Sequence, residues 1–431
     1  MLFNSWQFLV FALAFFSLYY LLPLRPQNWL LLVGSYLFYS AWDWRFVALL
    51  AGSTVIDFFM ARYIDRAESP RRRRAALLVS LTFNLGVLGL FKYFNFFADN
   101  AVRLMHAVGW QADPVMINVV LPVGISFYTF MTISYVVDVY RRQIPSTGDL
   151  LEFAVFVSYF PHLVAGPILR ARHLLPQIAR PRRVDAALIH RGVWLISWGL
   201  FKKVVVADNL TIIVDRTFSP VSSAGGAEYL VAIYAFAIQI YCDFSGYSDM
   251  ARGLANLMGF ELQLNFLRPY WAVGMRDFWR RWHISLSTWL RDYVYIPLGG
   301  SRQGMAATAR ALMMTMALGG LWHGANWTFV LWGVYHGVLL VVERFAEGLG
   351  FAWPSSRAGR AVAIVVTFHL VCFGWLLFRA DSLSQVAHVL AAISQPFALG
   401  SMALKGLTLL LPLAVLLRVC DAPHWETTSP S

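Results

Sequence analysis

The sequence predicts an all-α, polytopic membrane protein, and three observations support this fold class. Hydrophobic residues make up 58% of the chain and charged residues only 13%, with a mean hydropathy of +0.58; such values lie outside the usual range of soluble globular domains. Several charge-free runs are long enough to cross about 30 Å of hydrocarbon. Basic residues gather in short clusters between these runs, as they do in the cytoplasmic loops of membrane proteins.

The apolar runs predict roughly ten to twelve membrane segments. Clean runs occupy 1–24, 26–42, 75–91, 114–137, 153–169, 311–342 and 361–378, and less clean ones occupy 46–61, 186–206, 229–250 and 382–417. The first run has no basic region and no small-residue cleavage site, so we predict a retained first span. We expect a single membrane domain over 1–420 and a polar tail at 421–431.

The charge pattern predicts contact with anionic lipid rather than nucleic acid. Lys and Arg number 35 against 23 Asp and Glu, giving a formal net charge of +12, but they lie between membrane segments rather than in one long basic stretch. Cys242, Cys372 and Cys420 are far apart and form no Cys-x-x-Cys pair, so we predict neither a disulfide framework nor a metal site.

Loop charge predicts that the chain enters the membrane without always crossing it. The basic loops around 66–74 and 170–191 should both be cytoplasmic, yet three apolar runs lie between them. At least one of these runs must be re-entrant, interfacial or a double pass. Pro122 and Gly124 interrupt the run at 114–137, and a broken backbone is tolerated at membrane depth only where protein or a water-filled cavity shields it.

The segment 277–293 is the most informative one, because it concentrates charge in a chain that otherwise avoids it. Its periodicity predicts one helix with two distinct faces. The aromatic face consists of Trp279, Trp282, Leu286, Trp289 and Tyr293, and the cationic face of Arg276, Arg280, His283, Ser287 and Arg291. His283 is therefore a candidate site residue. The alternative is an interfacial helix whose arginines bind lipid phosphate, and both interpretations can hold together.

A second histidine, His323, lies in the long run 311–342. This run exceeds the length of one upright span and has glycines near its middle, so we predict a two-piece element with His323 near the break. An imidazole is suited to remove a hydroxyl proton at neutral pH, and Trp322 and Trp327 would form a dry slot around it. The alternative is a structural hydrogen-bond donor.

Other polar residues in apolar surroundings have weaker signals. Asp243 and Asp249 are expected to pair with the arginines of 276–291, because buried charges need partners. His336 either lines the same cavity or only packs. There is no Gly-rich phosphate loop, Gly-x-Ser-x-Gly elbow, His-Glu-x-x-His motif or dinucleotide fingerprint, so nucleotide hydrolysis, metalloprotease chemistry and a serine acyl-enzyme have no support.

Three motifs in combination resemble the membrane-bound O-acyltransferases, and most nearly the bacterial branch that acetylates alginate and other exopolysaccharides. They occupy 280–292, 297–300 and 320–324. Further matching stretches occupy 91–97, 121–128, 162–168 and 199–204, so that the likeness covers about residues 1–390.

The resemblance implies that His323 is the essential histidine and that His283 is the second polar residue of the same active site. It also implies a ring of tilted helices around a thinned centre with a tunnel through it. The expected reaction passes an acetyl group from a cytoplasmic thioester, with acetyl-CoA as the donor substrate and no bound cofactor, across the bacterial inner membrane. The acceptor is an extracytoplasmic hydroxyl or a periplasmic acetyltransferase that relays acetyl to the polymer.

Six residues are expected to contact substrate: Arg280, Arg291, Ser287, Trp282, Trp322 and Asn326. The arginines would steer the anionic donor to the cytoplasmic mouth of the site. Two alternatives from other classes remain at this point. A transporter or polysaccharide-export component would use broken helices and intramembrane charges equally well, and an inactive scaffold would tolerate replacement of both histidines.

Overall fold

The regular secondary structure of the computed structural model is helical throughout, which confirms the predicted all-α class. The structure describes residues 1–111, 113, 116–117, 120–163, 166–219, 222–395, 406 and 410, and no β-strand occurs within these ranges. The tail predicted at 421–431 lies outside them. The expected single domain ending near residue 420 therefore stays a prediction.

The chain divides into two compact units, and we describe each by itself. The first consists of Met1–Trp198 and Tyr247–Gln263, and the second of Gly199–Gly246 and the chain from Leu264 onward. The helices before residue 220 are α1 (Trp6–Tyr19), α2 (Leu24–Ser40), α3 (Val47–Arg66), α4 (Pro70–Leu88), α5 (Phe94–Ala107), α6 (Ile125–Tyr140), α7 (Leu150–Ser158), α8 (Phe160–Leu163), α9 (Ala171–Ile178), α10 (Ala186–Leu200) and α11 (Asp208–Thr217). The later helices are α12 (Gly226–Leu257), α13 (Met275–Arg281), α14 (Ile284–Leu290), α15 (Gly304–His323), α16 (Trp327–Gly348), α17 (Arg357–Arg379) and α18 (Leu383–Ser394).

Five helical stretches of the described chain are long and apolar enough to cross a membrane. They are Trp44–Arg66, Pro70–Ala107, Gly226–Leu257, Trp327–Gly348 and Arg357–Arg379. Helices α1 and α18 are also apolar but shorter. The larger number of segments expected from the sequence, and the central tunnel, stay predictions.

A buried carboxylate joins α3 to α4 in the first unit. Asp57 of α3 accepts hydrogen bonds from Ser80 (2.5 Å) and from the side-chain amide of Asn84 (2.8 and 3.0 Å), both on α4. The amide oxygen of Asn84 in turn accepts a hydrogen bond from Ser53 at 2.7 Å. Because a buried polar group is costly without such partners, this network fixes how α3 and α4 pack against each other.

The predicted interruption at Pro122 and Gly124 is confirmed. Helix α6 begins at Ile125, immediately after Gly124, which has a left-handed φ of +76°. A Cβ at this position would lie 2.2 Å from the carbonyl oxygen of Leu163, so only glycine fits. Four residues of the apolar run, at positions 114, 115, 118 and 119, lie outside the described chain. Whether this run re-enters the membrane stays a prediction.

The second unit contains the predicted two-piece element. Helix α15 ends at His323 and α16 begins at Trp327. The two helices approach each other main chain to main chain, since a Cβ on Gly320 would lie 2.1 Å from the carbonyl oxygen of Phe329 and 3.1 Å from the Cα of Gly333. This close contact fixes the end of α15, and with it the position of His323.

Candidate active site

The single helix predicted around His283 is wrong. Helix α13 ends at Arg281 and α14 begins at Ile284, and His283 between them has a left-handed φ of +44°. The main chain on each side of His283 is instead paired with the extended stretch 265–267. The N–H of Leu267 donates to the carbonyl of Arg281, and the N–H of Ile284 donates to the carbonyl of Asn265, both at 2.9 Å. The two continuous faces drawn for one helix therefore do not exist.

Asn265 supplies the hydrogen bonds around the His283 imidazole. Its side-chain oxygen lies 3.2 Å from Nδ1 of His283, and it also accepts hydrogen bonds from the N–H of Ser285 (3.2 Å) and its hydroxyl (2.9 Å). Nε2 of His283 is buried and has no hydrogen-bond partner in the described chain. Burial lowers the pKa of His283 well below its usual value, and the nearby His323 lowers it further, so the ring is neutral at neutral pH.

Aromatic rings enclose the rest of the His283 side chain, which is fully buried. Phe244 meets it edge-on at a centroid distance of 4.6 Å, and Phe266 is stacked on it at 6.2 Å. Sequence reasoning did not identify Asn265 or these two rings as site residues. The only available signal was a lone amide within the apolar stretch Leu264–Phe266, which has no helical periodicity to interpret.

Trp322 links the two predicted catalytic histidines. Its ring centroid lies 6.1 Å from that of His283 and 5.0 Å from that of His323. Trp332 and Phe378 also meet His323 edge-on, each at 5.1 Å. His323 itself is only half-buried, as the last residue of α15. The structure thus brings both histidines to one aromatic cluster, which we define as Trp322, Trp332, Phe378, Phe244 and Phe266.

Trp282 and Asn326, two further predicted substrate contacts, have well-defined roles in the fold. Trp282 is buried, with its ring 4.8 Å from that of Trp375 and 5.0 Å from that of Phe266. The Asn326 side chain caps α16 by accepting a hydrogen bond from the N–H of Thr328 (3.1 Å), and it donates to the carbonyl of Asp381 (2.9 Å). Their contact with substrate stays a prediction.

A cavity of about 490 Å³ brings together other predicted substrate contacts, Arg280, Arg291 and Ser287. Two more arginines, Arg276 and Arg344, also line it, alongside apolar and hydroxyl side chains from α14, α15 and α16. Neither histidine belongs to the lining. The cavity is cationic because four guanidinium groups surround it, and such a lining favours an anionic ligand.

Acidic residues hold some of these arginines, but Asp243 is not one of them. Arg276 forms an ion pair with Glu347, and Arg291 forms one with Asp292 at 2.9 Å. Asp243 instead pairs with Lys203 at 2.6 Å. The expected pairing of Asp243 with the arginines of 276–291 is therefore wrong, since Lys203 is its partner.

His336 packs beside the cluster within the second unit. It is fully buried, with ring centroids 4.9 Å from Trp332 and 5.3 Å from Trp279. Neither ring nitrogen has a hydrogen-bond partner among the described residues. Since Trp279 lines the arginine cavity and Trp332 contacts His323, His336 lies in the layer of rings between these two features.

Across the described residues, no group of three or more His, Cys, Asp or Glu side chains could hold a metal ion.

The chain is similar to a family of membrane enzymes and to several curated O-acetylases. The profile of the membrane-bound O-acyltransferase family matches residues 137–379. The chain is 44% identical to a probable alginate O-acetylase of Pseudomonas putida and 46% identical to that of Pseudomonas aeruginosa, covering 91% and 90% of this chain and 80% and 73% of those proteins. It is also 35% identical to a peptidoglycan O-acetyltransferase of Helicobacter pylori, over 85% of this chain and 73% of that protein.

These features together define a multi-pass, all-helical membrane enzyme with two histidines in one aromatic cluster. The chain belongs to the membrane-bound O-acyltransferase family. It is an O-acyltransferase, which transfers an acyl group to a hydroxyl. The alternatives of a transporter, an export component or an inactive scaffold have no support among these relatives.

Proposed function

We propose that this enzyme passes an acetyl group from a thioester on the cytoplasmic side of the bacterial inner membrane towards O-acetylation of an extracellular polysaccharide such as alginate. The supporting observation is the combination of 46% identity to a probable alginate O-acetylase over 90% of the chain with two histidines that contact the same tryptophan. Acetyl-CoA is the donor substrate in this proposal, and no bound cofactor is needed.

His323 is the general base in this reaction. It removes the proton of the acceptor hydroxyl, and the resulting alkoxide attacks the thioester carbonyl. The tetrahedral intermediate carries an oxyanion, which His283 or a nearby donor stabilises. When the intermediate collapses, the C–S bond breaks and the departing thiolate takes the proton from His323. The half-buried position of His323 beside Trp322 supports this role, because the ring is both accessible and surrounded by apolar walls.

The arginine cavity receives the anionic part of the donor. Arg280 and Arg291 attract its phosphates, and Ser287 contacts it from the same cavity wall. Trp282 and Trp322 flank the path of the acyl group, while Asn326 contacts substrate near His323. The cationic lining and the volume of about 490 Å³ support this assignment, since specific small-molecule sites commonly have volumes of about 300–1,000 Å³.

The proposal also includes the arrangement of the chain in the membrane. Residues 1–420 form one acyltransferase domain with about ten to twelve membrane segments, re-entrant helices and a central tunnel that connects the two membrane surfaces. Anionic lipids contact the basic loops, and a periplasmic acetyltransferase receives the acetyl group for transfer to the polymer. The five long apolar helices and the broken apolar runs support this arrangement.

Membrane vesicles of opposite orientation test the proposed direction of transfer. Inverted vesicles expose the cytoplasmic face, so they should turn over added radiolabelled acetyl-CoA, whereas sealed right-side-out vesicles should not. In cells that lack their own alginate O-acetylase, the gene should restore acetyl groups to secreted alginate. If only right-side-out vesicles turn over acetyl-CoA, transfer runs in the direction opposite to the one proposed. If neither preparation turns over acetyl-CoA, it is not the donor.

A further inference from the structure

The identity of the atom that faces His283 follows from the hydrogen bonds of Asn265. One terminal atom of its side chain lies 3.2 Å from the backbone nitrogen of Ser285. That N–H can only donate, so the atom facing it must be the amide oxygen and not the NH₂ group. The same oxygen lies 3.2 Å from Nδ1 of His283.

This oxygen determines which ring nitrogen of His283 carries hydrogen. An amide oxygen accepts hydrogen bonds and cannot donate them, so Nδ1 of His283 must be the protonated nitrogen. A neutral imidazole has only one N–H, and the second nitrogen, Nε2, therefore presents a lone pair. Nε2 is the buried atom that has no hydrogen-bond partner in the described chain.

The main chain also fixes the position of the His283 side chain beside Asn265. Its φ of +44° is unusual for a residue other than glycine. The residue that follows it, Ile284, donates its N–H to the carbonyl of Asn265 at 2.9 Å. Asn265 thus binds this turn through both its main chain and its side chain, and a strained conformation that its surroundings maintain is typical of functional sites.

We propose that Asn265 is a positioning residue that holds His283 in the Nδ1–H tautomer and presents Nε2 to the substrate as a hydrogen-bond acceptor. The ligand group that this nitrogen recognises is an O–H or N–H of the bound substrate. This inference rests on the proposed acyl transfer and specifies the role of His283 in it. A neutral His283 in this tautomer cannot donate from Nε2 to an oxyanion, so oxyanion stabilisation falls to another donor nearby.

Nitrogen NMR of the full-length protein in lipid nanodiscs, labelled with ¹⁵N-histidine, tests the tautomer without any measurement of activity. The His283 signals are assigned by their absence from a His283→Gln spectrum. In the unchanged protein, Nδ1 should be protonated and Nε2 should not. Asn265→Ala should give a mixture of tautomers. The comparison variant Ser285→Ala removes a hydroxyl that lies 2.9 Å from the same oxygen and 3.4 Å from Nδ1 of His283, and it should keep the Nδ1–H form because the Asn265 oxygen remains. An Nε2–H signal in the unchanged protein would overturn the proposal, even if Asn265→Ala failed to fold.

Kinetics with acetyl-CoA give a second, separate readout. Asn265→Ala should lower kcat by about tenfold to a hundredfold with little change in KM for the donor. Asn265→Asp keeps an oxygen acceptor but adds a negative charge, which stabilises the imidazolium, so the acid limb of the pH profile should move to higher pH. An unmoved profile with Asn265→Asp, or equal rates in the Ala variants of Asn265 and Ser285, would contradict the positioning role. Absence of acyl transfer by the unchanged protein would refute the proposed function and leave the tautomer result standing.

Discussion

The ring of Trp322 lies 6.1 Å from the ring of His283, at an interplanar angle of 62°. The same indole lies 5.0 Å from His323, the residue that follows it in α15. One side chain therefore contacts both histidines of the proposed reaction, although they come from separate parts of the sequence. We infer that Trp322 sets the spacing between the two imidazoles.

Replacing Trp322 tests this spacing role. Trp322→Ala removes a buried ring and should cost about 3–5 kcal/mol of stability along with most of the acyl-transfer activity. Trp322→Phe keeps an aromatic wall and should retain a larger part of both. Acetyl transfer per milligram of folded protein, with the thermal midpoint of each variant in detergent, measures the two effects. Full activity in Trp322→Ala would show that the indole does not position the histidines.

Gly320 should tolerate no side chain, because its neighbours are main-chain atoms of α16. Gly320→Ala should separate α15 from α16, cost at least about 1–3 kcal/mol and displace His323. Gly348→Ala is the matched control, since a Cβ there meets nothing within 4 Å. The thermal midpoint should fall clearly for the first variant and stay or rise slightly for the second. Equal midpoints would mean that the two helices can separate without cost.

Local sequence signals predicted much of the architecture. The all-helical class, the break at Gly124 and the end of α15 near His323 all follow from apolar length together with glycine and proline positions. These signals act over a few residues, so a single sequence contains them. The two histidines could likewise be singled out from the local sequence, because their surroundings are apolar.

The environment of His283 could not be predicted from local periodicity. Residues 276–291 have a helical pattern, yet the helix breaks because Arg281 and Ile284 pair with the earlier stretch 265–267. Such pairing depends on tertiary structure, which overrides local propensity. For the same reason the lone amide of Asn265 could not be recognised as part of the site, and Lys203 was not foreseen as the partner of Asp243.

Arg280 should contribute to donor binding rather than to chemistry. Arg280→Gln should raise KM for acetyl-CoA by about tenfold or more, because a charged hydrogen bond is worth about 1.5–3 kcal/mol, and kcat should change little. The effect should shrink at high ionic strength. The control is Arg302→Gln, which changes an exposed arginine outside the cavity lining. Similar KM values for the two variants at low salt would exclude Arg280 from the donor site.

The two histidines should act as one unit. If the reaction needs both, His283→Ala alone removes most of the rate, and adding His323→Ala causes little further loss. Single-turnover rates of the two single variants and the double variant give the comparison directly. If each replacement lowers the rate by the same factor with or without the other, the losses are multiplicative and the two histidines have independent roles.

Acetyl transfer by the purified His323→Ala variant tests whether His323 is the catalytic base. We expect a rate lowered by about 10²–10⁴, with normal folding and membrane insertion, because a general base is lost without removal of a large packed side chain. The control His190→Ala, which changes an exposed histidine of the first unit, should keep the full rate. If His323→Ala transfers acetyl from acetyl-CoA as fast as this control, at matched amounts of folded protein, His323 is not the catalytic base.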